Sequence, residues 1–231
     1  MTAALVFLAA IMATIIWWLA RQTINVRPWE ASTIASTGDP GSEVGNRPRV
    51  AGSLGFPTLK VGLGLFLCVA TSLFGLLMSA YFMRSMLPDW NRLSVPDLMW
   101  LNTALLLASC VVVHRTDTAM KKGARREVKL GLLVGAILTL LFLAGQLFAW
   151  NQLNTAGNTV EANAANAFFY LFTAAHGVHL LGGLWVWARA TAGAWFNLER
   201  VRLGMRIELC KVYWDYLFII WLVLFFTLLS G

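Results

Sequence analysis

An all-α, polytopic transmembrane helix bundle of about six spans is the fold class this sequence predicts. Three observations carry it. Of 231 residues, 58% are hydrophobic and only 13% charged, too little charge to cover a soluble domain. The apolar residues fall in six uninterrupted blocks, each of about 20 residues and able to cross a hydrocarbon core of about 30 Å as a helix. All six prolines (Pro28, Pro40, Pro48, Pro57, Pro88 and Pro96) lie between blocks. No broken-helix site of the transporter kind is therefore indicated.

The blocks run over residues 2–20, 61–83, 97–113, 130–150, 165–187 and 207–229. The first lacks a positively charged leader and a small-residue cleavage site before Arg21, and Trp17 and Trp18 just ahead of Arg21 look like an interfacial anchor. A retained helix over 1–21 is expected, not a signal peptide. The segment 22–59, rich in Pro, Gly and Ser, is expected to be an irregular cytoplasmic loop. Residues 60–231 are expected to form a five-helix core.

The formal charge of +7 comes from Lys and Arg in short loops beside apolar blocks, which is a topology signal and not a nucleic-acid footprint. Sixteen of the eighteen basic residues follow the first, third and fifth blocks; only Arg84 and Arg92 lie on the other side. Both termini are thereby expected to face the periplasm of a bacterial inner membrane. Cys68, Cys110 and Cys210 are far apart and are expected to be buried inert thiols, neither a disulfide framework nor a zinc site.

Ionisable groups inside lipid are costly and usually functional, and this chain has few. His176 and His179, three apart, share roughly one helix face. Metal or haem ligation is one reading, but His114, the remaining histidine, lies near the cytoplasmic end of its span while His176 is near mid-membrane. Zinc or copper would need more ligands than the sequence places there. Hydrogen bonds to neighbouring helices or a lipid headgroup are the preferred reading, with Gly177 allowing close approach. Lys211 and Asp215, one turn apart, can pair on one face; a structural ion pair, with each other or with a neighbouring subunit, is preferred over a proton relay, which would want further ionisable groups across the membrane. Gln146 and Asn102 add neutral polarity. Of eleven tryptophans, Trp17, Trp18, Trp90, Trp100, Trp150, Trp187 and Trp195 are expected in the aromatic belts. Gly131 with Gly135, and Gly182 with Gly183, suit helix–helix packing.

Four segments resemble subunit III of the haem-copper oxidases. A phenylalanine-rich run, Phe168 to Phe172, leads into Thr173-Ala174-Ala175-His176-Gly177-Val178-His179 and then Gly182, like the family's Thr-x-x-His-Gly-x-His run. Tyr213-Trp214-Asp215-Tyr216, with Trp221 beyond, is similar to its terminal Tyr-Trp-His-Phe segment, with Asp215 in place of His. Trp100-Leu101-Asn102-Thr103 and Gly145-Gln146-Leu147 with Trp150 resemble its Trp-x-x-Thr and Gln-x-x-x-Trp segments. They occur in the family's order, one per helix, from Val61 onward. Ala70 stands where many members carry a buried Glu, so no role of that carboxylate carries over. The five-helix core is shared, and one helix precedes it in place of the two that form the lipid-holding cleft of seven-helix members.

The resemblance implies a chain without catalytic residues, haem or metal of its own. It would pack on subunit I, beside subunit II, of an oxygen-reducing, proton-translocating oxidase, stabilise subunit I and bind phospholipid; haem and copper would sit in the partner subunits. His176, His179, Trp214, Asp215, Lys211, Trp100 and Gln146 are the residues expected to make interhelical, lipid or subunit contacts. An accessory subunit of a nitric oxide reductase and a stand-alone haem b protein using His176 are the alternatives. Cytochrome c and quinol remain equally open as electron donor.

Overall fold

The computed structural model describes Trp17 and residues 58–88, 90–91, 96–196 and 200–230. The expected first span and the loop over 22–59 lie outside the described residues, apart from Trp17, which is helical and exposed, and residues 58–59, which are helical and not loop. Five helices follow in order: α1 Thr58–Arg84, α2 Leu98–Lys122, α3 Arg125–Thr155, α4 Ala164–Trp195 and α5 Arg200–Ser230. There is no strand among the described residues. All five are long and apolar enough to cross a membrane, as the sequence predicts.

Each helix outruns its apolar block. α2 continues past Val113 to Lys122, α3 begins at Arg125 and not near residue 130, and α4 continues past Trp187 to Trp195. Hydropathy reports only the part of a helix that lies in hydrocarbon. Backbone hydrogen bonding lets the helix carry on through the headgroup region, where charged side chains are solvated. Local chemistry sets the true ends. Gly123, at φ 80°, closes α2, and the amides of Gly123 and Ala124 bond the carbonyls of Met120 and Ala119, a left-handed cap that favours glycine. Asn163 opens α4 by accepting the Ala165 amide at 3.3 Å.

The chain divides into two compact units, 1–69 and 70–231, so that α1 spans the boundary. Within 70–231, α2 packs on α3 and α5, α4 on α3 and α5, and the four close a ring of antiparallel neighbours. Buried positions on α3 are Val128, Leu132, Gly135, Thr139, Phe142, Gln146, Ala149 and Leu153. The alternating spacing of three and four is a coiled-coil seam, and α2 and α4 show the same rhythm. α5 is the centre: 61% of its most apolar stretch is buried, against 33% for each of α2, α3 and α4. The C-terminal part of α1 lies on α4 and α5, with Phe74 against His179, Tyr81 against Phe168 and Phe172, and the Thr71 hydroxyl bonded to that of Tyr216 at 3.0 Å.

Candidate functional site

A polar side chain buried among helices in lipid is costly unless it finds a hydrogen-bond partner within the bundle. Four indoles show how this chain does it. Trp150 on α3 donates to the Thr173 hydroxyl on α4 at 3.0 Å. From α5, Trp214 donates to Ser109 at 2.9 Å and Trp221 to Thr103 at 3.0 Å, both on α2. Trp187 on α4 donates directly to the Leu132 carbonyl on α3 at 2.8 Å. Each hydroxyl that accepts an indole passes its own proton on: Thr173 to Phe169 O, Thr103 to Met99 O, and Ser109 to Thr139, which bonds Gly135 O. The donors and acceptors are thus satisfied in series.

Two expectations about tryptophans and glycines change here. Trp187 is no belt residue: it is fully buried, 4.9 Å from Trp214, because α4 continues two turns beyond it. Gly135 makes room for it, since an added Cβ would come within 2.9 Å of the Trp187 ring. The close approach near the histidines belongs to Gly183, where a Cβ would lie 3.0 Å from Tyr213 Cδ1 and 3.2 Å from Trp214. Gly182 faces open space, and a Cβ at Gly177 would meet Leu143 at an ordinary 3.9 Å. Gly131 stands against Thr116 on α2, so Gly131 and Gly135 serve two different neighbours.

The two histidines part company. His176 is fully buried between Phe142, at 6.0 Å, and Trp221, at 5.1 Å. Neither of its ring nitrogens has a hydrogen-bond partner among the described residues, so the expected hydrogen bond to a neighbouring helix is replaced by packing between aromatic rings. His179 is half-buried and donates from Nδ1 to the Ala175 carbonyl of its own helix at 2.7 Å. Its own carbonyl accepts the Tyr213 hydroxyl at 2.7 Å. Asn102 donates to the Gln146 amide oxygen at 3.4 Å across α2 and α3, and both are buried. Trp100 is exposed and meets Phe225 edge-on at 4.9 Å. The described residues hold no group of three or more His, Cys, Asp or Glu placed to bind a metal. Cys110 and Cys210 are buried, whereas Cys68 is exposed.

The second cluster lies where α2 and α5 meet at their charged ends. Lys211 and Asp215 do not take each other as partners, which corrects the expected pair. Lys211 donates to Asp117 at 2.9 Å, and Asp117 also accepts Lys121 at 2.8 Å. Asp215 takes His114 at 2.8 Å. The i, i+4 pairing lost to the longer helix: α2 runs on far enough to set His114 and Asp117 against the same face of α5. Asp117, 6% exposed, is the residue that sequence reasoning missed. Its signal was available, a His114/Asp117 pair one turn apart facing a Lys211/Asp215 pair one turn apart, but it lay beyond the apolar block.

The geometry is that of a scaffold braced by indole pins and a lateral charge network. The family model for cytochrome c oxidase subunit III matches residues 55–230. The chain is 30% identical over 184 residues to cytochrome c oxidase subunit 3 of Thermostichus vulcanus, covering 73% of this chain and 86% of that one. It is 27% identical over 219 residues to the protein of the same name from Synechocystis sp., covering 88% of each. A probable cytochrome c oxidase subunit 3 of Nocardia farcinica matches at 27% over 208 residues, covering 84% of this chain and 97% of that one. With most of its length matched, from α1 through α5, this multi-pass membrane chain belongs to the cytochrome c oxidase subunit III family.

Proposed function

We propose that this chain is the non-catalytic subunit III of a bacterial haem-copper terminal oxidase, where it braces subunit I and holds phospholipid during aerobic electron transport. The observation that carries this reading is the family match over all five helices, joined to a core whose indoles and hydroxyls are spent on one another. Such a core resists deformation and is suited to stabilising a neighbour. His176, Trp214 and Gln146 act between helices inside the bundle. Trp100, His179, Asp215 and Lys211 keep part of their surface outside it and are the contacts offered to lipid or to a neighbouring subunit.

The chain lies in the bacterial inner membrane with both termini in the periplasm, a reading supported by the one-sided distribution of Lys and Arg. Its organisation is a first helix over 1–21, a cytoplasmic loop over 22–57 and the core from residue 58 onward. Haem and copper belong to subunits I and II.

The test is purification of the tagged full chain from native membranes in mild detergent, with a reduced-minus-oxidised spectrum and mass spectrometry of what accompanies it. A large haem-bearing membrane subunit that co-purifies and consumes oxygen is the expected result. Consumption of nitric oxide in place of oxygen would move the chain to a nitric oxide reductase. Haem on the chain alone would sink the scaffold reading and make His176 a ligand.

A further inference from the structure

A groove of about 300 Å³ runs between α2 and α3 on the outer face of the bundle, at the lower end of the roughly 300–1,000 Å³ of small-molecule sites. It is lined by Val112, Arg115, Ala119, Glu127, Leu130 and Val134, with Thr116 and Gly131 at its floor. Those two residues are in contact, and the Thr116 hydroxyl is spent on its own helix at Val112 O. The floor therefore offers a ligand only apolar surface, and the polar chemistry is confined to Arg115 and Glu127. Both are exposed, and neither forms an ion pair or side-chain hydrogen bond with another described residue.

Their order along the groove is informative. α2 and α3 are antiparallel with Asn102 opposite Gln146, Ser109 opposite Thr139 and Thr116 opposite Gly131. In that register Val112 and Val134 lie deepest, Arg115 next, and Glu127 about 8 Å nearer the α2–α3 turn at 1.5 Å per residue. Apolar surface, then a cation, then an anion is the complement of an acyl chain, a phosphodiester and an ammonium group. An anionic headgroup would satisfy Arg115 but be repelled by Glu127. A zwitterionic one satisfies both, and a primary ammonium can donate hydrogen bonds to the carboxylate.

We propose that this groove is a binding site for a zwitterionic aminophospholipid, phosphatidylethanolamine, with one acyl chain along Val112 and Val134, its phosphate at Arg115 and its ammonium at Glu127. The proposal rests on the chain spanning a membrane and not on its place in an oxidase. The groove is formed by α2 and α3, within the shared core, and not by the first two helices of seven-helix relatives.

The test uses the full chain, with whatever subunits accompany it, in nanodiscs of equal phosphatidylethanolamine and phosphatidylglycerol, followed by native mass spectrometry of retained lipid. The wild type is expected to retain phosphatidylethanolamine over phosphatidylglycerol by about five- to tenfold, the scale of one charge-assisted contact. Arg115→Gln lowers retention of both lipids by a similar factor. Glu127→Gln lowers retention of phosphatidylethanolamine to the level of phosphatidylglycerol and so erases the preference. Val134→Trp, on an exposed position, expels both, whereas Val178→Trp on a distant exposed face expels neither. Equal retention of the two lipids by the wild type overturns the proposal, as does retention indifferent to Arg115→Gln. So does a photocrosslinker at residue 134 that captures a protein subunit in place of lipid. Co-purification of a haem subunit is scored separately, so either reading can fail alone.

Discussion

Trp214 shows what a single side chain contributes in this bundle. It is fully buried, packs at a tilt against Trp187, lies under Gly183 and donates its indole proton to Ser109. Interhelical hydrogen bonds in membranes average about 0.6 kcal/mol and reach about 1.7 kcal/mol. Trp214→Phe removes the donor and part of the packing, so it is expected to destabilise by about 1–3 kcal/mol. A double-mutant cycle with Ser109→Ala, read by reversible denaturation in detergent, should return a coupling near 1 kcal/mol; zero coupling would mean the hydrogen bond adds nothing. The residue types at these pins were visible in the sequence, but their pairing was not. Trp187 and Trp150 look alike as tryptophans ending an apolar block, and only helix length separates the buried one from the half-exposed one.

At the scale of an element, α2 decides the chemistry of the charged end. Its continuation to Lys122 carries Asp117 into a buried position between Lys121 and Lys211. Removing one partner of a buried pair leaves the other charge uncompensated, whereas exposed pairs contribute little. Lys211 has 20% of its side chain exposed and Lys121 has 69%. Asp117→Asn is therefore expected to cost about 2–3 kcal/mol, and Lys121→Gln less than about 0.5 kcal/mol. Comparing the two thermal midpoints in one detergent checks this; equal losses would show that Lys121, not Lys211, is the partner that counts. The correction of the Lys211/Asp215 pair belongs to the same scale. Spacing on one helix says which side chains can meet, but a neighbouring helix that supplies better-placed partners wins.

For the whole molecule, topology is the testable property. Single cysteines at Gly123 and Ala156, in the turns after α2 and α3, should sit on opposite sides of the membrane in a background cleared of Cys68, Cys110 and Cys210. An impermeant maleimide added to spheroplasts is expected to label residue 156 and to reach residue 123 only after lysis. The reverse pattern would invert the orientation drawn from the basic residues.

The number, order and approximate position of the five described spans were determined by sequence alone, because lipid admits only helices long and apolar enough to cross it. Family was legible for the same reason that His176, His179, Trp100, Gln146 and Trp214 could be named: short motifs survive in one dimension. Which of those residues face each other was decided by the tertiary structure. The ring of α2, α3, α4 and α5 places Trp214 on Ser109, closes Phe142 and Trp221 over His176, and hands Lys211 to Asp117. A sequence records what each helix presents along its length. Rotation about the helix axis and the choice of neighbour arise only when the seams pack together.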